Sequence, residues 1–304
     1  MPPGLLTGPQ APCHAEFSAG DLEPAKKGTT VSVCLPARNE AATIGPIVET
    51  IRADLQQETH LVDEIIVVND RSADATAAVA ARGGATVTPV AVPAGSQAGK
   101  GAAMATALTE SRGDLVVFLD ADIGGFSSHF VVSLLGPLLC GRCIGFVQAS
   151  YQRPLAGVLG QGGRVTELAA KPLLALLHRH VACLTQPLAG EIAARRCALE
   201  DLLLPCDYGV DVAVLIDVAR RIGVAAMAEV DLGERRHGNR PLSELAPQAR
   251  AVAQVILERA GVHLGAPATG DATAPATRFQ TTPGNRRVGM PDDGLTRRRQ
   301  TVTS

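Results

Sequence analysis

Between Thr30 and Asp122 the chain alternates short β-type runs with helical segments, and this alternation restricts the fold more than any other feature. The runs "TVSVCLPA", "EIIVVND", "ATVTPVAV" and "LVVFLDAD" have strand length and apolar character. Between them, "EAATIGPIVETIRADLQQ" sets Ile44, Ile47, Val48 and Ile51 at helical spacing. "SADATAAVAARGG" reads as a helix closed by glycine, and "KGAAMATALTESRGD" as a third helix. A βαβαβαβ order calls for a parallel sheet with right-handed crossovers and helices on both faces. The expected fold class is therefore α/β, with a mostly parallel, Rossmann-like sheet. In such sheets ligands bind beyond the carboxyl ends of the strands.

The polar groups fall at those ends: Arg38, Asn39 and Glu40 after the first strand, Asn69 and Asp70 after the second, Asp120 and Asp122 after the fourth. In "DLVVFLDADIGG" two carboxylates sit two residues apart, so both project to one side of an extended chain end. Anions that close repel unless a cation or a protonated partner lies between them. Asp and Gly also favour turns, but acids and amides at three strand ends exceed what turn chemistry requires.

Two phosphate motifs fail. "GSQAGKG" is one residue short of a P-loop, and Gly101 replaces the hydroxyl residue that would hold magnesium. "GQGGRV" does not fit the dinucleotide pattern and follows no opening strand. An Asp-x-Asp at a strand end instead suits a divalent cation, Mg²⁺ or Mn²⁺, shared between carboxylate and a substrate diphosphate. Lys100 can meet a phosphate as a point charge.

The rest of the chain bounds the reading. Its 304 residues suffice for one large domain or two fused lobes, and a net charge of -2 gives no basic field for nucleic acid. No secretory signal pattern and no uninterrupted apolar span of about 18 residues is visible, so a cytoplasmic protein without a membrane span is expected. Seven scattered cysteines fit reduced core thiols; Cys140 and Cys143 in "CGRC" lack the second pair that a zinc site wants. Residues 1–28 read as a flexible arm and 265–304 as a disordered tail, rich in Thr, Pro and Gly without periodicity.

"LPARNEAATI", "IIVVNDRSADAT", "GKGAAM" and "VVFLDAD" resemble the nucleotide-sugar domain of a GT-A glycosyltransferase. Downstream, "GFVQASYQRPL", "GGRVTELAAKPLLALL", "QPLAGE", "YGVDVAVLID" and "RRHGNRPLSEL" narrow the resemblance to the glucosyl-3-phosphoglycerate synthase family. The likeness covers roughly residues 31–262. It implies a nucleotide-sugar-binding half (29–123) and an acceptor-binding α+β half with a C-terminal helix (124–264). It also implies retaining transfer of glucose from UDP-glucose to D-3-phosphoglycerate, a divalent metal and a homodimer.

Carried over by position, the resemblance gives Pro36, Ala37, Arg38, Asn39 and Glu40 to the uridine, with Asp70 nearby. Lys100 would approach the diphosphate, Asp120 and Ala121 the ribose or sugar, and Tyr208, Gly209, Val210 and Asp211 the glucose. Asp122 and His237 would ligate the metal. Gly163, Arg164, Val165, Thr166, Asn239 and Arg240 would hold the acceptor, with Glu191 a further candidate near the sugar. Three positions depart from the family's usual pattern: Ala121 stands for Ser, "VNDRS" replaces a Gly-containing turn, and Asp211 stands where Glu is commoner.

Taken singly, these residues admit plainer roles. His237 in "RRHGNR" reads as a loop histidine, Arg164 as a helix-start ion pair, Glu191 as a cap, and Asp211 as a carboxylate favoured by a helix dipole. Other functions on this fold are a mannosyl-3-phosphoglycerate synthase and a polyprenyl-phosphate glycosyltransferase. Outside catalysis, the alternative is a nucleotide-sugar-binding scaffold.

Overall fold

The computed structural model describes residues 17–92, 99–141, 143–152, 163–234 and 242–262, together with Thr277 and Arg278. The elements in chain order are α1 (Ala19–Lys26), β1 (Val31–Ala37), α2 (Ile44–Thr50, continuing as π-helix over Ile51–Glu58), β2 (Glu64–Asn69), α3 (Thr76–Gly83), β3 (Thr86–Pro89), α4 (Lys100–Glu110) and β4 (Leu115–Phe118). There follow α5 (His129–Cys140), β5 (Phe146–Gln152), a π-helical turn (Thr166–Ala170) running into α6 (Lys171–Leu177), β6 (Ile192–Arg195) and α7 (Arg196–Leu199). The last are β7 (Leu203–Leu204), α8 (Val210–Ile222), β8 (Met227–Glu234), α9 (Leu242–Arg259) and β9 (Thr277–Arg278).

Seven strands form one sheet in the order β3-β2-β1-β4-β6-β5-β8. The strands from β3 to β4 are parallel, β6 is antiparallel to both neighbours, and β5 pairs parallel with β8. The two halves thus share a sheet, joined where β4 meets β6. This is the mixed, mostly parallel α/β fold expected from the alternation.

Strand alternation sorts the core into two layers. Val31, Val33 and Leu35 of β1, with Leu115 and Val117 of β4, face α1, α2 and α5 on one side. Cys34, Val116 and Phe118 face α4, α6, α8 and α9 on the other. Both faces are therefore covered, which explains why β1 and β4 read as continuous apolar runs.

Two segments differ from their sequence reading. Within the stretch taken as a loose arm, α1 is capped by Ser18, whose Oγ accepts from the Asp21 amide at 3.2 Å, and Leu22 is fully buried. Within the stretch taken as a disordered tail, Thr277–Arg278 pairs antiparallel with Leu203–Leu204.

Candidate active site

The carboxyl ends of β1, β2 and β4 open into one cleft of about 700 Å³. Pro36, Ala37, Arg38, Asn39, Glu40, Asp70, Lys100, Asp120, Ala121 and Asp122 line it, and so do Gly163, Arg164, Val165, Thr166, Tyr208 and Asp211. Nearly all the sequence-derived candidates that fall on described residues thus converge. Gly209, Val210 and Glu191 do not line the cleft. Gly209 precedes α8 and donates its amide to Asp207 Oδ1 at 2.8 Å, Val210 is core, and Glu191 is fully buried beside Gly190. His237, Asn239 and Arg240 lie outside the described residues.

The loops after β1 and β2 hold each other. The Asn39 amide donates to Ser72 Oγ at 3.0 Å, and Asn39 Oδ1 accepts from the Ala73 amide at 2.8 Å. The Glu40 amide donates to Thr76 Oγ1 at 2.8 Å. Asn39 and Arg71 both take left-handed φ values, 59° and 54°, which turn the chain sharply at each strand end. The turn leaves Asp70 buried in the cleft wall, 3.2 Å from Arg71 Nε and 3.8 Å from Arg38, both exposed guanidiniums.

At the end of β4, Thr43 Oγ1 donates to the Ala121 carbonyl at 2.6 Å and so fixes the backbone between the two aspartates. That contact uses main chain alone, so alanine serves at this position. The Lys100 ammonium lies 2.8 Å from Asp120 Oδ1 and 2.9 Å from Asp211 Oδ2. Burial disfavours the charge on Lys100, but the two carboxylates outweigh it and hold its pKa above the usual lysine range. The lysine is thus a fixed cation on the cleft wall, with each carboxylate limiting the swing of the other.

The glycines of "GKG" have a different task from the one their sequence suggests. Gly101 and Ala102 donate their amides to the Cys206 carbonyl at 3.1 and 3.2 Å, so the first turn of α4 is capped by chain from the second half. A β-carbon at Gly99 would stand 2.6 Å from that carbonyl oxygen, and one at Gly101 would overlap Pro205. Their absence of side chains lets the 205–207 loop cross over α4, bringing Asp207 and Tyr208 into the cleft lining. Gly190 plays the same part on the opposite wall, where a β-carbon would lie 2.5 Å from Lys100 Nζ. Its loop is held by Glu229, whose buried carboxylate accepts from the Thr185 amide and hydroxyl at 2.8 and 2.9 Å. Burial raises the pKa of that carboxyl, against the pull of these hydrogen bonds.

Further lining residues escaped the sequence reading: Gly99, Ala103, Leu188, Asp207, and Leu245, Gln248 and Val252 of α9. The only sequence signal for the last three is the helical stripe they share.

The comparisons with known proteins agree with this geometry. The family model described as "Glycosyl transferase family 2" matches residues 32–123, from the second residue of β1 through β4 and the Asp-x-Asp. A glucosyl-3-phosphoglycerate synthase of Mycolicibacterium paratuberculosis is 42% identical over 257 residues, 81% of this chain and 77% of that protein. The crystal structure of the Mycobacterium tuberculosis synthase in complex with Mn²⁺, UDP-glucose and phosphoglyceric acid has a TM-score of 0.76 and 41% identity, covering 86% of this chain and 89% of that one. The same enzyme in complex with Mg²⁺ and UDP has a TM-score of 0.75 and 41% identity, covering 84% and 87%. The likeness extends well past the nucleotide-binding strands into the half that carries Gly163–Thr166, Tyr208 and Asp211. On that extent, this chain belongs to the glucosyl-3-phosphoglycerate synthase family.

Proposed function

We propose that this protein transfers glucose from UDP-glucose to D-3-phosphoglycerate with retention of configuration, releasing UDP and glucosyl-3-phosphoglycerate. The observation that carries the reading is the single cleft that joins the strand-end residues of the first half to Gly163–Thr166 of the second. A donor and an anionic acceptor can share it.

In this reading Pro36–Glu40 and Asp70 bind the uridine, and Asp120 and Ala121 the ribose or sugar. Tyr208 and Asp211 face the glucose, with Gly209 and Val210 shaping the segment behind them and Glu191 supporting it from beneath Gly190. Arg164 and Thr166, flanked by Gly163 and Val165, hold the acceptor by charge-assisted contacts. Asn239 and Arg240 complete that site.

Asp122 supplies a hard oxygen donor at the cleft, which suits Mg²⁺ or Mn²⁺. It would hold the ion together with His237. A metal held there would supply Lewis-acid neutralisation of charge on the departing diphosphate. The protein's own groups bring the acceptor hydroxyl to the face from which the diphosphate leaves. The bond from acceptor oxygen to anomeric carbon forms as the bond to the phosphate oxygen breaks, and the hydroxyl proton passes to that leaving oxygen. Lys100, fixed by Asp120 and Asp211, offers positive charge beside it.

Family resemblance further supports a cytoplasmic homodimer acting early towards methylglucose lipopolysaccharide or glucosylglycerate. Among the described residues, no helix is long and apolar enough to cross a membrane. The test is UDP release from a panel of nucleotide sugars and acceptors. Turnover with UDP-glucose and 3-phosphoglycerate above all other pairs is expected. Preference for GDP-mannose or for a lipid phosphate would overturn the assignment.

A further inference from the structure

The face that α9 turns inward is Leu245, Gln248, Val252, Val255 and Ile256, a helical stripe at spacings of three and four. Val252, Val255 and Ile256 are buried against the core. Gln248 is the one polar residue on the stripe. It is half-buried, it lines the cleft with Leu245 and Val252, and it makes no hydrogen bond to any described residue. A carboxamide in the middle of an apolar stripe costs stability once a ligand excludes water from it, unless that ligand supplies a partner. An apolar residue would fill the position at no such cost.

The stretch Gly163–Thr166 belongs to the same cleft and brings Arg164 and Thr166. An acceptor with two different ends suits such a pairing. D-3-phosphoglycerate carries a phosphate at one end and a carboxylate beside its free hydroxyl at the other. The guanidinium offers full charge for one end. The neutral amide offers directed N–H donors for the other and adds no second positive charge that would bind any dianion.

We infer that Gln248 is a specificity-determining residue for the acceptor, donating its amide N–H to the carboxylate while Arg164 takes the phosphate. This rests on the acceptor reading given above. It predicts that the residue distinguishes 3-phosphoglycerate from glycerol 3-phosphate, which keeps the phosphate and lacks the carboxylate.

The experiment measures binding of both compounds by calorimetry, with UDP and Mn²⁺ present, to the full chain and to Gln248→Met and Gln248→Glu. Methionine keeps length and volume without the amide. It is expected to weaken 3-phosphoglycerate at least about 10-fold, the scale of a hydrogen bond to a charged group. Glycerol 3-phosphate should change less than about 3-fold, and the KM for UDP-glucose should not move. Glutamate should weaken 3-phosphoglycerate more than methionine does, since carboxylate then faces carboxylate. Unchanged binding, or equal weakening of both compounds, would overturn the inference while wild-type turnover stood. Absence of wild-type turnover with 3-phosphoglycerate would instead remove the functional reading, and this inference with it.

Discussion

Lys100 and Asp211 stand 111 residues apart in the chain, yet their charged ends meet at 2.9 Å in the cleft. One belongs to the nucleotide-binding half and the other to the start of α8. With Asp120 at 2.8 Å on the other side, the ammonium joins both halves within the cleft. Two carboxylates around one lysine leave a net negative charge, which suits a place where a metal-bound diphosphate must come and go.

Removing the lysine should therefore cost both stability and rate. Lys100→Met removes the cation that Asp120 and Asp211 share, a loss below the about 3–5 kcal/mol of a broken fully buried pair because the three groups are part-buried. The pH dependence has a definite sign. A lysine raised above its ordinary 10.5 in the folded state contributes stability that is fully present below that pH and is lost as pH rises beyond it. Chemical denaturation between pH 8 and about 11.5 should show wild-type stability falling from near pH 10.5 and the variant's falling less. Parallel curves for the two proteins would refute the coupling.

The glycines separate folding from catalysis. Gly101→Ala drives a β-carbon into the Pro205 carbonyl, and both sides of that contact are backbone. Overpacking of this kind costs about 1–3 kcal/mol or more, so melting temperature and activity should fall together. Gly190→Ala meets side-chain atoms instead, the Lys100 ammonium and the Asp120 carboxylate. Its melting temperature should fall less than that of Gly101→Ala, while kcat/KM drops by more than about 10-fold, because small displacements of positioned groups are costly. Equal behaviour of the two variants would show that Gly190 is merely structural.

These examples mark where the sequence was legible. β1, β2 and β4 could be read because each is buried on both faces, so continuous apolar run and structure coincide, whereas β3 is a half-exposed edge strand marked by its β-branched residues. The acids at the strand ends could be read because nothing in the packing asks for them. By contrast β6 is only "IAAR", alanine-rich and four residues long, and it becomes a strand because β4 and β5 flank it. The eight-residue α1 contains Pro24 and buries only Leu22, too little pattern to stand out. Gly99 and Gly101 look like a phosphate loop because sequence does not reveal which backbone will cross them. Gln248 escaped for the same reason: a lone amide on a helix says nothing until the opposite wall of its cleft is known.

Metal dependence follows from the proposed role of Asp122. Asp120 and Asp122 both line the cleft, Asp120 bonds Lys100 at 2.8 Å, and the family resemblance makes Asp122 the aspartate that would ligate the ion. Asp122→Ala should lower turnover by at least about 10²-fold, the scale of losing a leading electrostatic contribution. Chelation should abolish activity, and added Mn²⁺ or Mg²⁺ should restore it in the wild type only. Full activity in excess EDTA would exclude the arrangement.

Stereochemistry yields the last prediction. Retention by double displacement needs a carboxylate nucleophile on the far face of the sugar, as in retaining glycosidases. Asp211 and Glu191 are the acids that sequence resemblance places near glucose. Asp211 Oδ2 is bound to Lys100 at 2.9 Å, which lowers the nucleophilicity of that oxygen and fixes its direction. Glu191 has no exposed surface and is absent from the cleft lining, so it does not reach an anomeric carbon without the 185–191 loop moving. Front-side attack, in which acceptor and leaving group share one face, requires neither. Incubation with UDP-glucose and Mn²⁺ without acceptor should then leave the intact mass of the protein unchanged, while complete reactions give the α-configured product. Asp211→Ala and Glu191→Ala serve as controls. A glucosyl adduct that forms as fast as turnover and disappears in one of these variants would establish a covalent intermediate and overturn front-side transfer.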